Sequence, residues 1–128
     1  MIGVDIISVK RVSKLAESDT NHRVFTAQEI AYANTKSQNV LKGEVCSQRE
    51  NTLAGLFAAK EAFMKALGLG LGDYFLVSDI EIGHFDSGAP YIVITEKISS
   101  YLKPKGLERI SLSISHDCGY AMAAVEIC

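Results

Sequence analysis

The stretch Leu53–Gly72, LAGLFAAKEAFMKALGLGLG, organises the reading of this chain. At about 100° per residue, Leu53, Leu56, Phe57, Phe63, Met64 and Leu67 gather on one side of a helix. Ala54, Ala58 and Ala62 form a second, small-residue side, with Glu61 and Lys65 on or beside it. Two readings of Glu61 and Lys65 stand side by side. They form an i,i+4 surface ion pair worth about 0.3–0.5 kcal/mol, or they serve something that lies close to the helix backbone. Lys60 projects from the centre of the apolar stripe and is expected to snorkel past its neighbours to water rather than pair with a buried acid. Gly68 suits the left-handed residue that closes a helix, and Gly70 and Gly72 extend it into a glycine lip. The helix is expected from about residue 51 to residue 67.

Outward from this helix the elements are short. Residues 2–9 are apolar and β-branched, a strand pattern interrupted by Asp5. A helix follows from about Val9 to Glu17. Thr26-Ala-Gln-Glu29 has the form of a capping box, starting a helix that runs to about Asn34. Residues 35–51 are polar and without periodicity, which predicts an exposed or partly mobile loop. Downstream, 79–84 and 91–95 read as strands joined through Asp86–Pro90, and 96–102 as a short helix. Ile110, Leu112 and Ile114 alternate with serines in a half-buried strand. A tight turn at 117–119 then leads to a last strand over 120–127. Helices and strands do not alternate regularly, so the expected class is α+β, an antiparallel sheet packed with helices.

Composition bounds the rest. With 128 residues, 48% of them hydrophobic, the chain is expected to form one domain, 1–128, with a real core. Its net charge of −2 provides no basic field for nucleic acid. No apolar run approaches a membrane span, and the first residues read as a strand rather than a targeting signal. Three scattered cysteines argue against a disulfide framework and for a reducing, cytoplasmic setting. The residues that carry chemistry are then few: Asp5 in a strand, Glu61 and Lys65 on a small-residue helix face, and His116 at the end of a strand. Two carboxylates from different elements suit Mg²⁺, with phosphate and water completing its shell, and a nearby lysine neutralises phosphate oxygens. These residues point to phosphate chemistry.

Five blocks occur in order: GVDI with Lys10 and Arg11, FT..E at Phe25–Glu29, LAG.FAAKEA..KALG.G at Leu53–Gly70, SG.PY at Ser87–Tyr91, and SISH...YAMA at Ser113–Ala123. Together they resemble the holo-acyl-carrier-protein synthases, the small bacterial 4′-phosphopantetheinyl transferases. The resemblance implies a homotrimer with active sites at the subunit interfaces. It also implies transfer of the 4′-phosphopantetheine arm of coenzyme A to a serine of apo-acyl carrier protein, in support of fatty acid biosynthesis. Asp5 and Glu61 match the family's Mg²⁺ ligands. Lys65 matches a lysine on the coenzyme A phosphates, Gly68 a glycine lining the nucleotide pocket, and Gly88 and Pro90 a turn near the adenine. His116 matches a histidine that reaches a phosphate across the interface. Arg11 matches a carrier-protein contact on the first helix, where Lys14 shares its face.

Two positions depart from the family pattern: Leu56 stands where a basic residue is usual, and Asp117 where threonine is usual. Arg49 is the candidate to replace the missing base. The serine proton could pass to Glu61 or to water beside Asp5. The same carboxylates would also serve another Mg²⁺-dependent phosphoester enzyme, or persist in a coenzyme A- or carrier-binding module without turnover.

Overall fold

The computed structural model describes residues 1–70 and 72–128; Leu71, inside the expected glycine lip, lies outside the described residues. Strand β1 (Ile2–Ser8) leads directly into helix α1 (Val9–Ser18). Helices α2 (Ala27–Asn34) and α3 (Gln48–Ala66) follow, then a hairpin of β2 (Ile82–His84) and β3 (Pro90–Ile92). Helix α4 (Glu96–Leu102) precedes β4 (Ile110–Asp117) and β5 (Tyr120–Ile127). The main sheet is antiparallel in the order β1-β5-β4, and β2 and β3 form a separate two-stranded sheet that packs beside β4. This is the expected α+β arrangement. Cys118 and Gly119, at φ 49° and 82°, make the two-residue turn between β4 and β5.

Helix α3 is the centre of the core, packed against all three strands of the sheet and against α1 and α2. It is buried all round rather than on one stripe: Leu53, Leu56, Phe63 and Met64 are enclosed, and so are Ala54, Ala58 and Ala62. What lies against the backbone of α3 is β1. A Cβ on Gly3 would stand 1.9 Å from the Ala62 carbonyl oxygen. The space left by small residues is thus filled by the sheet.

Strand β1 inverts the usual parity. Gly3 and Asp5 face inward, whereas Ile2, Val4 and Ile6 point outward and are exposed. On β5, Ala121, Ala123, Val125 and Ile127 face the core, and Tyr120 and Met122 face out beside β1. The serines of β4 share that outer face. The sheet therefore presents apolar side chains on both sides.

Several boundaries differ from expectation. Helix α3 begins three residues early because Ser47 and Glu50 form a second capping box: the Ser47 hydroxyl accepts the Glu50 N–H at 3.1 Å, and the Glu50 carboxylate accepts the Ser47 N–H at 3.1 Å. Residues 37–45 are exposed as expected, but Cys46 and Ser47 are buried. The strand expected over 79–84 is only Ile82–His84, because Asp79 closes a 3₁₀ turn by accepting the Leu76 N–H at 2.8 Å. Strand β3 ends at Ile92, since Thr95 is recruited to cap α4 through the Ile98 N–H.

Lys60 does not snorkel. Its side chain is fully enclosed, donating at 2.6 Å to the Val24 carbonyl and at 2.6 Å to Glu29. Glu29, equally buried, also accepts the Thr26 N–H at 2.9 Å as part of its capping box and the Ile82 N–H at 2.9 Å. One ion pair thus ties α3 to α2, to the preceding loop and to the hairpin. Burial pulls the Lys60 pKa down and the facing Glu29 carboxylate holds it up.

Candidate active site

Asp5 comes from β1 and Glu61 and Lys65 from the last turns of α3, and the close approach of Gly3 to Ala62 brings them together. The Lys65 ammonium donates to Asp5 Oδ1 at 2.8 Å, so lysine reaches across to the strand rather than back to Glu61. The i,i+4 ion pair that spacing allows is not formed. Lys65 itself is exposed, and its hydrogen bond to Asp5 raises its pKa. Glu61 is pushed above the ordinary carboxylate value by burial first and by the Asp5 charge second, with Lys65 opposing.

Two carboxylate oxygens in this group are buried without a hydrogen-bond partner: Asp5 Oδ2 and Glu61 Oε1. A buried unpaired anionic oxygen is costly, and native proteins rarely leave one without cause. Two of them on adjacent like-charged groups form a donor set suited to a hard divalent cation. No group of three His, Cys, Asp or Glu among the described residues is placed to hold a metal.

Helix α3 ends at this site. Gly68, at φ 70°, donates to the Lys65 carbonyl, and the Leu69 N–H reaches back to Met64. These are the paired bonds of a Schellman motif, which only a residue tolerant of positive φ closes easily.

The other expected residues lie elsewhere. Gly88, Pro90 and His116 line a cavity of about 330 Å³ beside the first half of α3. Its apolar wall is Leu56 with Ile114, and Gly55 admits the Ile114 side chain, whose Cγ2 would be 2.7 Å from an added Cβ. Asp5, Glu61, Lys65 and Gly68 are not among its lining residues. The expected site residues thus fall into two groups on one chain.

Among the residues of this cavity that sequence reasoning missed are Tyr32, Lys36 and His84. Tyr32 and His84 stack with ring centroids 3.7 Å apart and planes 9° from parallel. Lys36 lies 4.9 Å from the Tyr32 centroid. Burial and the Lys36 charge both lower the His84 pKa. The available signal was the i,i+4 spacing of Tyr32 and Lys36 where α2 ends. Arg49, the expected replacement for a base at position 56, does not reach the cavity; its Nε donates to Asn34 Oδ1 at 2.9 Å. Leu56 is buried, and Asp117 is exposed on the strand end.

Arg11 and Lys14 are both exposed on α1, three residues apart, and neither forms an ion pair among the described residues. Lys10, beside them, is drawn to Glu50 at 3.8 Å.

Comparison with known proteins finds likeness along nearly the whole chain. A relative from Campylobacter hominis named holo-[acyl-carrier-protein] synthase is 38% identical over 98% of this chain and 94% of its own length. One of the same name from Thermoanaerobacter sp. (strain X514) is 36% identical over 95% of this chain and 82% of its own length. The crystal structure of Helicobacter pylori holo-[acyl-carrier-protein] synthase in complex with coenzyme A superposes with a TM-score of 0.79 at 31% identity, covering both chains completely. The Bacillus anthracis holo-(acyl-carrier-protein) synthase, solved with CoA (3′,5′-ADP), gives a TM-score of 0.71 at 32% identity over 98% of this chain and 92% of that one. The model of the 4′-phosphopantetheinyl transferase superfamily matches residues 1–124, and the chain belongs to that family.

Proposed function

We propose that this protein transfers the 4′-phosphopantetheine arm of coenzyme A to a serine of apo-acyl carrier protein, releasing adenosine 3′,5′-bisphosphate and supplying holo-carrier protein to fatty acid biosynthesis. Family membership supports the reaction class, and relatives named and solved as holo-acyl-carrier-protein synthases support the substrates. The observation that carries the reading is the Asp5–Glu61 pair, with its two unpartnered buried oxygens beside the Lys65 ammonium.

Phosphoryl transfer asks a protein mainly for alignment and charge neutralisation. Asp5 and Glu61 are the residues that would hold Mg²⁺, which when bound neutralises pyrophosphate charge and activates phosphorus toward attack. Lys65, exposed and flexible, is free to exchange Asp5 for a phosphate oxygen. Gly68 leaves that approach open, because it places no side chain at the mouth.

The nucleotide end is assigned to the cavity with Gly88, Pro90 and His116. Within one chain that cavity and the acid pair are separate, and the separation supports a shared site in which one subunit's cavity meets its neighbour's acid pair. The outer sheet face supports the same homotrimer: Ile2, Val4, Ile6, Tyr120 and Met122 are 44–71% exposed, more contiguous apolar surface than a small monomer usually leaves in water. Arg11 and Lys14 on α1 are assigned to the acidic carrier protein. The three cysteines are free, in keeping with a cytoplasmic setting, and no helix among the described residues is long and apolar enough to cross a membrane.

Incubation with coenzyme A, Mg²⁺ and apo-acyl carrier protein tests this directly, with the carrier protein weighed afterwards. The expected result is a mass gain equal to the phosphopantetheine arm. Hydrolysis of coenzyme A without a gain on the carrier would indicate a phosphoester hydrolase. Binding without either would indicate a module that has lost turnover.

A further inference from the structure

Helix α1 offers a partner charge but no exposed apolar side chain. Its exposed residues are Lys10, Arg11, Lys14, Glu17 and Ser18, whereas Val9 and Val12 are buried in the core. A protein interface needs the opposite at its centre, where charged residues are depleted and apolar ones exclude water, with charges left to the rim. Charge across such a contact sets encounter and orientation more than affinity. A docking face made of α1 alone is a rim without a centre.

The apolar surface that α1 lacks is on the segment between α2 and α3. Val40, Leu41 and Val45 are 51–59% exposed, and none of them packs against the core. The other residues of 37–45 are polar or glycine. The segment lies alongside α1. At one end Gln38 shares a cavity of about 240 Å³ with Ser13, Ala16 and Glu17 of that helix. At the other, Val45 sits beside Gly119, where an added Cβ would be 3.2 Å from Val45 Cγ1, and the Gly119 carbonyl accepts the Val9 N–H at 2.9 Å. The backbone is tied down. The Glu44 N–H donates to the Leu41 carbonyl at 2.9 Å, the Asn39 N–H to the Ser37 hydroxyl at 3.1 Å, and the Arg49 N–H to the Ser37 carbonyl at 3.0 Å. Three apolar side chains are therefore displayed to water on a hydrogen-bonded frame. Ordering them on binding costs less than ordering a free loop.

We propose that Val40, Leu41 and Val45 form the apolar centre of the carrier-protein interface, and that Arg11 and Lys14 are its basic rim. The inference rests on the carrier-protein reading and adds a second element to the docking face. Charge selects the occupant. Lys42, exposed on the same turn, forms no ion pair among the described residues and extends the rim, while Glu44 is the only carboxylate of the segment. The partner that fits is a small acidic protein with an apolar strip beside its carboxylates.

The test measures binding of apo-acyl carrier protein to the full-length protein by calorimetry, without coenzyme A, at low and at high salt. Leu41→Ala is expected to weaken binding about 10-fold, the loss of a few buried methylene equivalents, and Leu41→Met to keep most of the affinity. The Leu41→Ala defect should persist at high salt, whereas the Arg11→Glu defect should shrink, because screening acts on charge. In turnover, KM for the carrier protein should rise in step while KM for coenzyme A stays close to wild type. Light scattering of Leu41→Asp should give the wild-type mass. Wild-type affinity in Leu41→Ala would overturn the proposal. A defect that fades with salt as that of Arg11→Glu does would also overturn it, since it would leave position 41 outside the apolar centre. Loss of assembly in Leu41→Asp would assign the patch to a second copy of this chain instead. A wild-type protein that binds the carrier and transfers nothing to it would remove the transferase reading and leave the docking face standing. A wild-type protein that does not bind the carrier would remove the docking face.

Discussion

Gly3 on β1 lies so close to Ala62 on α3 that an added methyl group would fall 1.9 Å from the Ala62 carbonyl oxygen and 2.4 Å from the Ala66 nitrogen. Both neighbours are backbone atoms of a buried helix, so neither can swing aside. This approach sets the distance between the strand that carries Asp5 and the helix that carries Glu61.

Gly3→Ala must therefore push β1 away from α3. The expected cost is about 3 kcal/mol, at the upper end for overpacking, with turnover reduced more than the stability loss alone would explain. Gly55→Ala is the comparison: its clash is with the Cγ2 methyl of the Ile114 side chain rather than with backbone, so a side-chain shift can relieve it. Thermal unfolding and turnover of the two variants, compared at a temperature where both are folded, decide the matter. Equal behaviour would show that the strand–helix distance does not control the site.

The acid pair makes a prediction about pH in the metal-free protein. Glu61 has a raised pKa when folded, so the folded state binds its proton more tightly than the unfolded state. Its stabilising contribution is full below the ordinary carboxylate value and is lost as pH rises through the higher folded value. Glu61→Gln removes that loss. With chelator present, the variant should unfold at a higher temperature than wild type at pH 7, and the difference should vanish near pH 4. Added Mg²⁺ should then stabilise wild type, by about 2.7 kcal/mol at 100 times its Kd, and leave the variant unmoved. Turnover of Glu61→Gln or Asp5→Ala should fall by about 100-fold or more. A variant that still gains stability from Mg²⁺ would remove Glu61 from the metal site.

The Lys60–Glu29 pair predicts an unusual pattern of rescue. Removing one partner of a buried pair costs about 3–5 kcal/mol, and an apolar double replacement often restores the loss. Here it should not. Glu29 also takes the backbone N–H groups of Thr26 and Ile82, and Lys60 caps the Val24 carbonyl. Lys60→Met with Glu29→Leu would strand three backbone groups, each costing about 1–3 kcal/mol. Chemical denaturation should place the double variant no higher than Lys60→Met alone.

That pair also marks where the sequence stops being legible. Helix α3 could be read from its apolar spacing, and the capping box at Thr26 from its four-residue pattern. The Ser47–Glu50 box has the same form but sits in a polar run without periodicity, which reads as a loop. Lys60 could not be placed because its partner lies 31 residues away. A helical wheel shows only that a charge sits on an apolar stripe. The parity of β1 was hidden for a similar reason: its apolar residues face outward, and a strand read alone does not say which side is the core. Asp5, Glu61 and Lys65 stand out in the sequence by their type and setting, and the structure makes them neighbours. Tyr32, Lys36 and His84 meet only through the packing of α2 on the β2–β3 hairpin, and residue types alone did not single them out.

The outward apolar face makes assembly testable. Light scattering at micromolar concentration should report three times the monomer mass. Ile6→Glu, at a position 65% exposed in the single chain, should not disturb the fold but should yield monomers. If the site is shared between subunits, those monomers lose turnover while keeping their circular dichroism spectrum. A wild-type monomer with full activity would refute both the trimer and the shared site.

The α1 cations concern the protein substrate. Arg11 and Lys14 stand one turn apart on an exposed face, and Lys10 is partly occupied by Glu50. Complementary charge across such a contact speeds encounter and fixes orientation more than it adds affinity. Arg11→Glu should therefore raise KM for acyl carrier protein about 10-fold and leave KM for coenzyme A almost unchanged. The exposed charge contributes little to folding, so the unfolding temperature should stay close to wild type. The defect should be steepest at low ionic strength, because at about 0.15 M salt the screening length is only ~8 Å and wild type already loses part of its advantage. Lys10→Glu, placed beside Glu50, should disturb stability more and carrier recognition less. Steady-state kinetics at two salt concentrations, with each substrate varied in turn, separate these outcomes. A carrier-protein KM that is unchanged in Arg11→Glu would mean that α1 is only a solvated face.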